Sequence, residues 1–325
     1  MKAEILKMLR QSDGYLSGQQ LCDHFQVSRT AVWKAINQLK EEGYEIEAVR
    51  NKGYRIVDIP DRITADAIKS CLETKWMAKN LEYYDEIDST NNRAKALGEA
   101  GGADGTLFVA ETQTAGKGRR GRCWQSPAGS SISMSILLRP VMNPSDAPML
   151  TLVMAYAATK ALREKTELDI GIKWPNDLVV NGKKICGMLT EMSAQFDYIN
   201  NIVIGIGINV HNESFPEEIE KTASSLLLEC GHRFHRADII EAFLEEFEAA
   251  YEVYLKTEDM EGLQQDYNEL LVNMNRQVRV LDPKEPFEGK AMGITKKGEL
   301  IVDTWESRKL VSSGEVSVRG IYGYV

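Results

Sequence analysis

The chain has 325 residues, of which 43% are hydrophobic and 27% are charged, a composition that fits two or three globular domains and excludes a fibrous or disordered protein. Its formal net charge is -9, and its five cysteines are widely spaced without a CxxC pair, which argues against a disulfide framework or a structural zinc site and indicates reduced thiols. No stretch approaches the ~18 apolar residues of a membrane span, and the first residues lack the apolar segment of a signal peptide. We therefore expect a cytoplasmic protein without a membrane partner.

The first 57 residues differ in charge from the rest, because they carry nine Lys or Arg against seven Asp or Glu. Apolar spacing predicts a helix over residues 2–10, and Ser17 with Gln20 predicts a capping box for a second helix. Ser28 can cap a third helix, which Gly43 ends. Two strand-like runs joined at residues 51–53 predict a hairpin. Residues 1–60 are therefore interpreted as a winged helix-turn-helix DNA-binding domain.

Polar side chains on the third helix and at the hairpin tip are the candidates for DNA contact: Ser28, Arg29, Thr30, Lys34, Asn37, Gln38, Arg50 and Lys52. Trp33 lies near this polar face, where we expect it to pack rather than to contact bases. The small excess of basic residues predicts a modest phosphate contribution per subunit, so that useful DNA binding requires a dimer. The alternative is a small helical protein-interaction module with solvated charges.

Residues 61–80 are interpreted as a linker with a short helix, and the catalytic domain is predicted over residues 81–272. Within it, the stretch AGKGRRGR matches the GxGxxG pattern of dinucleotide-binding proteins. Such a site needs a helix that starts within the glycines, whereas Pro127 and Gly129 follow here and the next regular element is a strand. The match is therefore coincidental, and the basic loop suits closure over a polyanion. A solvated loop that binds nothing is the alternative.

Three further segments carry polar groups at the ends of predicted strands. Residues 88–91, DSTN, start a helix, where they either cap it or bind a ligand. The segment KWPND, residues 173–177, places a cation, an aromatic ring, an amide and a carboxylate on a backbone that proline stiffens, and Lys184 follows on the next strand. In a buried strand, Gly205 and Gly207 either let a flat group approach or mark a bulge.

Three motifs in this order, behind a winged helix, resemble those of the biotin protein ligases: AETQTAGKGRRGRCW, KWPNDLVVNGKKICG and VIGIGINV. The attached DNA-binding domain resembles that of the bifunctional subclass that also represses the biotin operon, and the resemblance covers essentially the whole chain. It implies an α+β multidomain protein with a central mixed sheet and helices, like the class II aminoacyl-tRNA synthetases. Residues 273–325 would form a small SH3-like β-barrel, which five short strand-like runs fit.

The resemblance also implies the reaction and its partners. Biotin and ATP with Mg²⁺ would form biotinyl-5'-AMP, and biotin would then pass to a lysine of a biotin carboxyl carrier protein. Acetyl-CoA carboxylase supplies such an acceptor, and pyruvate carboxylase is a further candidate. The adenylate would act as corepressor by favouring a homodimer whose two winged helices read a two-fold biotin operator.

The site residues follow from the same resemblance. The biotin pocket would comprise Ser89, Thr90, Asn91, Gln113, Gly118, Arg119, Arg120 and Lys184. The ATP and adenylate side would comprise Gly116, Lys117, Arg122, Trp124, Lys173, Asn176, Asp177 and Asn209. The catalytic groups would be Lys184, Arg119 and Lys173, and Asp177 would help to hold magnesium. Lys117 departs from the common GRGRRG loop, because it replaces a bidentate guanidinium by a point charge.

Other functions remain as alternatives. A lipoate or octanoate ligase has a similar fold and similar adenylate chemistry. A ligand-sensing repressor without catalysis is the alternative from another class, although the presence of Lys173 and Lys184 argues against it. A third alternative keeps the ligase and makes the N-terminal domain a remnant.

Overall fold

The computed structural model describes residues 1–195, 198–282, 284–314, 316–321 and 323–325. The chain divides into two compact units, Met1–Glu73 with His235–Glu241 and Thr74–Phe234 with Ala242–Val325. Within the described ranges, no helix is long and apolar enough to cross a membrane.

The first unit contains three helices, a β-hairpin and a fourth helix, in the order α1 (Lys2–Gln11), α2 (Gly18–Phe25), α3 (Arg29–Glu41), β1 (Glu45–Val49), β2 (Gly53–Asp58) and α4 (Ala65–Cys71). The strands β1 and β2 pair in antiparallel orientation. This arrangement confirms the helix-turn-helix domain and the hairpin that follows it.

Local signals in the sequence start and end these helices. Ser17 and Gln20 form the predicted reciprocal capping box at α2, and the Ser28 hydroxyl accepts a hydrogen bond from the Ala31 N–H at α3. Gln26 turns the chain between the two helices at a φ of 53°. The apolar faces of the helices then meet in one core, which includes Ile5, Leu6, Leu9, Leu21, Val32, Ile36 and Leu39.

A seven-stranded mixed sheet forms the centre of the second unit, from β3 (Leu81–Ile87), β4 (Thr106–Gln113), β5 (Ser131–Leu138), β6 (Gly171–Lys173), β7 (Asp177–Val180), β8 (Lys183–Ala194) and β9 (Ile199–Asn209). The strand order is β3-β4-β5-β9-β8-β7-β6. Only the β3 and β4 pair is parallel among these neighbours of the described sheet. Every residue of β5 is buried, which agrees with its inner position.

Six helices of the described chain follow β3, at α5 (Thr90–Glu99), α6 (Met149–Thr166), α7 (Glu217–Glu220), α8 (Leu226–Cys230), α9 (Arg236–Thr257) and α10 (Gln264–Leu270). Apolar residues dominate α6, which is buried over most of its length. A single 3-10 turn, Arg119–Gly121, lies in the glycine-rich loop, and the next regular element is β5. A helix of the kind that dinucleotide sites require is therefore absent from this described loop.

The C-terminal strands form a separate antiparallel sheet, with β10 (Gln277–Leu281), β11 (Phe287–Ile294), β12 (Leu300–Asp303), β13 (Arg308–Val311) and β14 (Ser317–Gly320). Their order is β13-β12-β11-β10-β14. Each strand coincides with one of the five runs predicted from the sequence. Its inward side chains are buried and include Val278, Val280, Ala291, Val302 and Val318.

The segment predicted as a linker, residues 61–80, is divided between the units, because residues up to Glu73 group with the first and Thr74 begins the second. Its second part is held by a buried carboxylate. The backbone N–H groups of Lys75, Trp76 and Met77 donate to Glu248 at 2.7 to 2.8 Å. The predicted bounds 1–60, 61–80, 81–272 and 273–325 stay predictions.

Candidate active site

A cavity of about 410 Å³ opens in the second unit. Its walls come from the start of α5, the glycine-rich loop, the β6–β7 turn and the strands β8 and β9. The C-terminal sheet adds residues 316–318, and Tyr324 reaches the same cavity from the end of the chain. The start of α5, the glycine-rich loop, the β6–β7 turn and β8 carry the polar residues that the sequence singled out.

The start of α5 presents buried hydroxyl and amide groups to this cavity. Ser89 occupies the N-cap position, but its side chain makes no capping hydrogen bond, so capping does not explain this residue. The Thr90 N–H donates to Gln113 Oε1 at 2.8 Å. Asn91 Nδ2 donates to Glu191 Oε2 at 2.8 Å, and the Ser135 hydroxyl lies 2.6 Å from Asn91 Oδ1. The polar groups are thus fixed by protein contacts before any ligand arrives.

The glycine-rich loop, residues 115–122, is held by a hydrogen bond within its own backbone and by contacts of the Arg119 side chain at its tip. The Gly118 N–H donates to the Arg122 carbonyl at 2.7 Å, and Arg120 adopts a φ of 60°. The Arg119 guanidinium donates to Asn176 Oδ1 at 2.7 Å and to the Ser313 carbonyl at 2.8 Å. Burial lowers the pKa of Arg119.

The other basic side chains of this loop lie at the exposed rim of the cavity. Lys117 Nζ donates to Asn92 Oδ1 at 2.8 Å. Arg120 and Arg122 are exposed. Arg119 is therefore the basic side chain that ties the loop to the cavity, whereas its neighbours remain at the surface.

Two lysines and one aspartate form a charged cluster in the cavity. Lys184 Nζ lies 2.6 Å from Asp177 Oδ1. Burial alone would raise the pKa of Asp177, but Lys184 and Lys173 outweigh it and lower that pKa, so the carboxylate stays charged. Burial lowers the pKa of Lys173 to about 8. The cluster joins KWPND to Lys184 of the next strand.

Trp124 lies on Gly207 of β9, and Asn91 lies on Gly205, so that each fills the space that a missing side chain leaves. A Cβ on Gly207 would lie 2.3 Å from the Trp124 ring, and one on Gly205 would lie 2.2 Å from Asn91 Oδ1. The flat group that Gly207 admits is therefore the protein's own indole, whereas Gly205 admits the amide of Asn91. Its buried Nε1 has no hydrogen-bond partner within the described part of the chain.

Comparison with known proteins accounts for these segments. Residues 83–209 match the model of the biotin/lipoate A/B protein ligase family, residues 2–55 match a helix-turn-helix domain, and residues 274–319 match the biotin protein ligase C-terminal domain. The bifunctional ligase/repressor BirA of Bacillus subtilis strain 168 is 37% identical over 321 residues, 98% of either chain. The chain belongs to the bifunctional biotin protein ligase and repressor family.

Other members agree with this assignment. The bifunctional ligase/repressor BirA of Escherichia coli K12 is 31% identical over 307 residues, 93% of this chain and 92% of its own. The biotin protein ligase of Aquifex aeolicus, solved in complex with biotin and ATP, aligns with a TM-score of 0.66 at 31% identity and covers 74% of this chain and 99% of its own. The resemblance that the motifs indicated, and the fold class it implied, are confirmed.

The structure of this family member brings nearly all of the predicted ligand residues to the one cavity. Those that line it are Ser89, Thr90, Asn91, Gln113, Lys117, Gly118, Arg119, Arg120, Arg122, Trp124, Lys173, Asn176, Asp177, Lys184 and Asn209. Gly116 does not line it. It lies beneath the loop, where its carbonyl accepts from the Trp124 N–H at 2.9 Å and a Cβ would lie 2.4 Å from the Trp124 carbonyl. Close backbone approach, and not ligand contact, explains this glycine.

Sequence reasoning missed several residues of the biotin ligase cavity. They include Met134, Met188, Ile206, Asn212, Phe215, Val318 and Tyr324. Ile206 lies between Gly205 and Gly207, and Met134 and Met188 pair with it, so alternation places these three side chains on the face opposite the two glycines and gives no signal for them. Tyr324 lies outside every motif, so no local pattern could have indicated it.

The described residues do not offer a prepared magnesium site. Asp177 Oδ1 contacts Lys184, and Asp177 Oδ2 accepts from the Tyr324 hydroxyl at 2.5 Å. No group of three His, Cys, Asp or Glu in the ranges that the structure covers could hold a metal. The donor set therefore does not fit Asp177 as a magnesium ligand in this arrangement.

The candidate DNA residues lie in the first unit, on α3 and at the hairpin tip. Ser28, Arg29, Thr30, Lys34, Gln38, Arg50 and Lys52 are exposed, and Asn37 is half-buried. Arg29 donates to Gln19 Oε1 at 2.9 Å, and the Ser28 hydroxyl is engaged as the helix cap. Trp33 is 56% exposed, so the packing role expected for it is wrong.

Proposed function

We propose that this protein is an ATP-dependent biotin protein ligase that forms biotinyl-5'-AMP and transfers biotin to a lysine of a biotin carboxyl carrier protein. The full-length similarity to bifunctional ligase/repressors supports this function. The single observation that carries it is the cluster of Lys173, Lys184 and Asp177, which shares one cavity with the polar start of α5.

The cavity contains neutral polar groups and basic groups, which suit the biotin part and the phosphate part of biotinyl-5'-AMP respectively. Neutral hydroxyl and amide groups suit the uncharged rings of biotin, and we propose this role for Ser89, Thr90, Asn91 and Gln113. Basic groups suit a carboxylate beside phosphates, and we propose this role for Arg119, Arg120, Lys173 and Lys184, with Gly118 allowing the loop to approach. On the nucleotide side the proposed residues are Lys117, Arg122, Trp124, Asn176, Asp177 and Asn209.

Adenylation brings two anions together. A biotin carboxylate oxygen attacks the α-phosphorus of ATP, a new C–O–P bond forms, and the P–O bond to pyrophosphate breaks. Lys184 and Lys173 offset the repulsion and stabilise the charge on the phosphate oxygens, an effect of about 3 kcal/mol for a well-placed donor. We expect Mg²⁺ to enter with ATP, bound to phosphate oxygens.

Transfer then needs a nucleophile from the acceptor protein. The acceptor lysine amine attacks the carbonyl of the mixed anhydride, an amide forms, AMP leaves and the amine loses a proton. No covalent enzyme intermediate is required, so we assign no role to the cysteines. The proposed acceptors are the carrier of acetyl-CoA carboxylase and, as a further candidate, pyruvate carboxylase.

We further propose that the protein represses biotin synthesis genes, with biotinyl-5'-AMP as corepressor. The adenylate would order the glycine-rich loop and favour a homodimer, and two winged helices would then read a two-fold operator. We also propose that the protein acts in the cytoplasm, where it would meet ATP, the acceptor protein and the operator. A footprint on biotin-operon DNA that needs both biotin and ATP would support this role, and a footprint that is absent or independent of them would contradict it.

ATP–pyrophosphate exchange tests the enzyme. Biotin, lipoate and octanoate are offered separately to the purified chain, and we expect exchange with biotin alone. Exchange with lipoate or octanoate alone would make the chain a ligase of that acid. Binding of biotin without any exchange would make it a sensor without catalysis.

A further inference from the structure

The end of the chain reaches the charged cluster of the ligase cavity. The Tyr324 hydroxyl donates to Asp177 Oδ2 at 2.5 Å, across 147 positions of sequence. The Tyr324 ring centroid lies 4.1 Å from Lys173 Nζ. One side chain thus contacts both the carboxylate and one of the two lysines of the cluster.

We propose that Tyr324 is a positioning residue of the adenylation step, a role that rests on the proposed function. Asp177 is held at both oxygens, since Oδ1 contacts Lys184 Nζ at 2.6 Å and Oδ2 accepts from Tyr324. A carboxylate held in this way cannot turn about its last bond. It therefore keeps Lys184 at one place in the cavity, where the reacting carboxylate and phosphate meet in the proposed mechanism.

The aromatic ring has a second effect, on Lys173. This lysine is 4% exposed, so its ammonium group has lost most of its water. An aromatic face within ~6 Å attracts a cation, and the attraction is stronger where both are desolvated. The hydroxyl of Tyr324 therefore acts on Asp177 and Lys184, whereas its ring acts on Lys173.

A glycine holds this tail in place. Gly320 ends β14, and a Cβ on it would lie 2.1 Å from the Val325 carbonyl oxygen. The last residue thus packs on a backbone that has no side chain. A substitution at Gly320 would displace the tail, and Tyr324 with it, while every residue that lines the cavity keeps its identity.

A blocking tail would behave differently from a positioning residue. If Tyr324 only occupied space that ATP needs, its removal would lower the KM for ATP and leave kcat unchanged. If it positions Lys184, its removal lowers kcat and leaves the KM for biotin unchanged. The two effects fall on different kinetic parameters, which makes them separable.

The test is biotin-dependent ATP–pyrophosphate exchange by the full chain, with Tyr324→Phe, Gly320→Ala and the control Tyr83→Phe. The control removes a hydroxyl that donates to Asp85 at 2.9 Å, outside the cavity lining. We expect Tyr324→Phe to lower kcat about 10-fold with both KM values within about twofold, because one hydrogen bond to a buried charge is lost. We expect Gly320→Ala to lower kcat at least as much, and Tyr83→Phe to match the wild type.

Thermal unfolding of each variant is measured beside the kinetics to check that the variant is folded. Tyr324→Phe is the smallest change that removes the hydrogen bond to Asp177. Wild-type kcat in Tyr324→Phe overturns the proposal, and so does a lower KM for ATP at unchanged kcat in Gly320→Ala. A loss of kcat that the Tyr83→Phe control shares also overturns it. Failure of the proposed function is distinguishable, because the wild type itself would then show no biotin-dependent exchange.

Discussion

Burial of Lys173 changes the protonation of a group that we propose to bind phosphate. The side chain is 4% exposed, and burial lowers its pKa to about 8. Asp177 opposes this shift, whereas Lys184 adds to it. The ammonium group is therefore protonated at neutral pH and loses its proton as the pH rises through about 8, which is well below the value for a lysine in water.

We predict that the affinity for ATP falls as the pH rises from 7 to 9. Only the protonated lysine attracts phosphate, and about a tenth of it remains one pH unit above the pKa, so we expect an affinity loss of about 10-fold. Equilibrium calorimetry at fixed Mg²⁺ measures it. The variant Lys173→Arg keeps its charge over this range, and an equal loss in that variant would assign the effect to another group.

Hydrogen bonds of Arg119 hold the glycine-rich loop in place. Three glycines leave its backbone free, yet Arg119 ties it to Asn176 and to the carbonyls of Ser313 and Gly314. Asn176 belongs to KWPND, and the two carbonyls belong to the connection between β13 and β14. The loop is thus held by the charged turn on one side and by the C-terminal sheet on the other.

We predict that Arg119→Ala loosens the adenylate and leaves the fold intact. The change removes hydrogen bonds from a cationic donor, so we expect biotinyl-5'-AMP to bind about 10-fold to 100-fold more weakly. Calorimetry with the purified adenylate measures the loss. Arg276→Ala, at an exposed arginine outside the cavity lining, is the matched control. Unchanged adenylate binding in Arg119→Ala would contradict closure of the glycine-rich loop over the adenylate.

For the molecule as a whole, charge is distributed according to the two proposed activities. The net charge is -9, but residues 1–57 have an excess of basic side chains. Exposed donors on α3 and at the hairpin tip lie in the first unit, and the charged cavity lies in the second. An acidic protein of this kind binds DNA through a local surface, so its affinity should depend on few phosphate contacts.

We predict that the double variant Arg50→Ala with Lys52→Ala weakens DNA binding about equally on operator and unrelated sequences. Contacts to phosphate carry no sequence information, and each one lost should reduce the salt slope by about one. Titration at several salt concentrations with biotin and ATP present measures the slope. Lys40→Ala with Lys69→Ala removes the same charge from exposed lysines of α3 and α4, and an equal effect in this control would exclude a specific role for the hairpin.

The sequence by itself determined the elements and the motifs that carry the polar side chains of the cavity. The signals that it carries extend over only a few residues, so they can be recognised within a short segment. They are the capping at Ser17 and Ser28, the alternation in the strands, and the motifs around Lys173 and Lys184. For the same reason the helix-turn-helix and the five C-terminal strands agree with the structure, and so does the mixed sheet that the resemblance implied.

Only the tertiary structure decided which groups meet across the chain. Tyr324 reaches Asp177 over 147 positions, Trp124 covers Gly207, and Gly116 serves backbone packing. Trp33 differs from its prediction for a related reason, because helical spacing shows which face a residue is on but not whether another element covers it. Contacts of this kind depend on how strands and tails are folded back on one another, and no periodic pattern along the sequence encodes that.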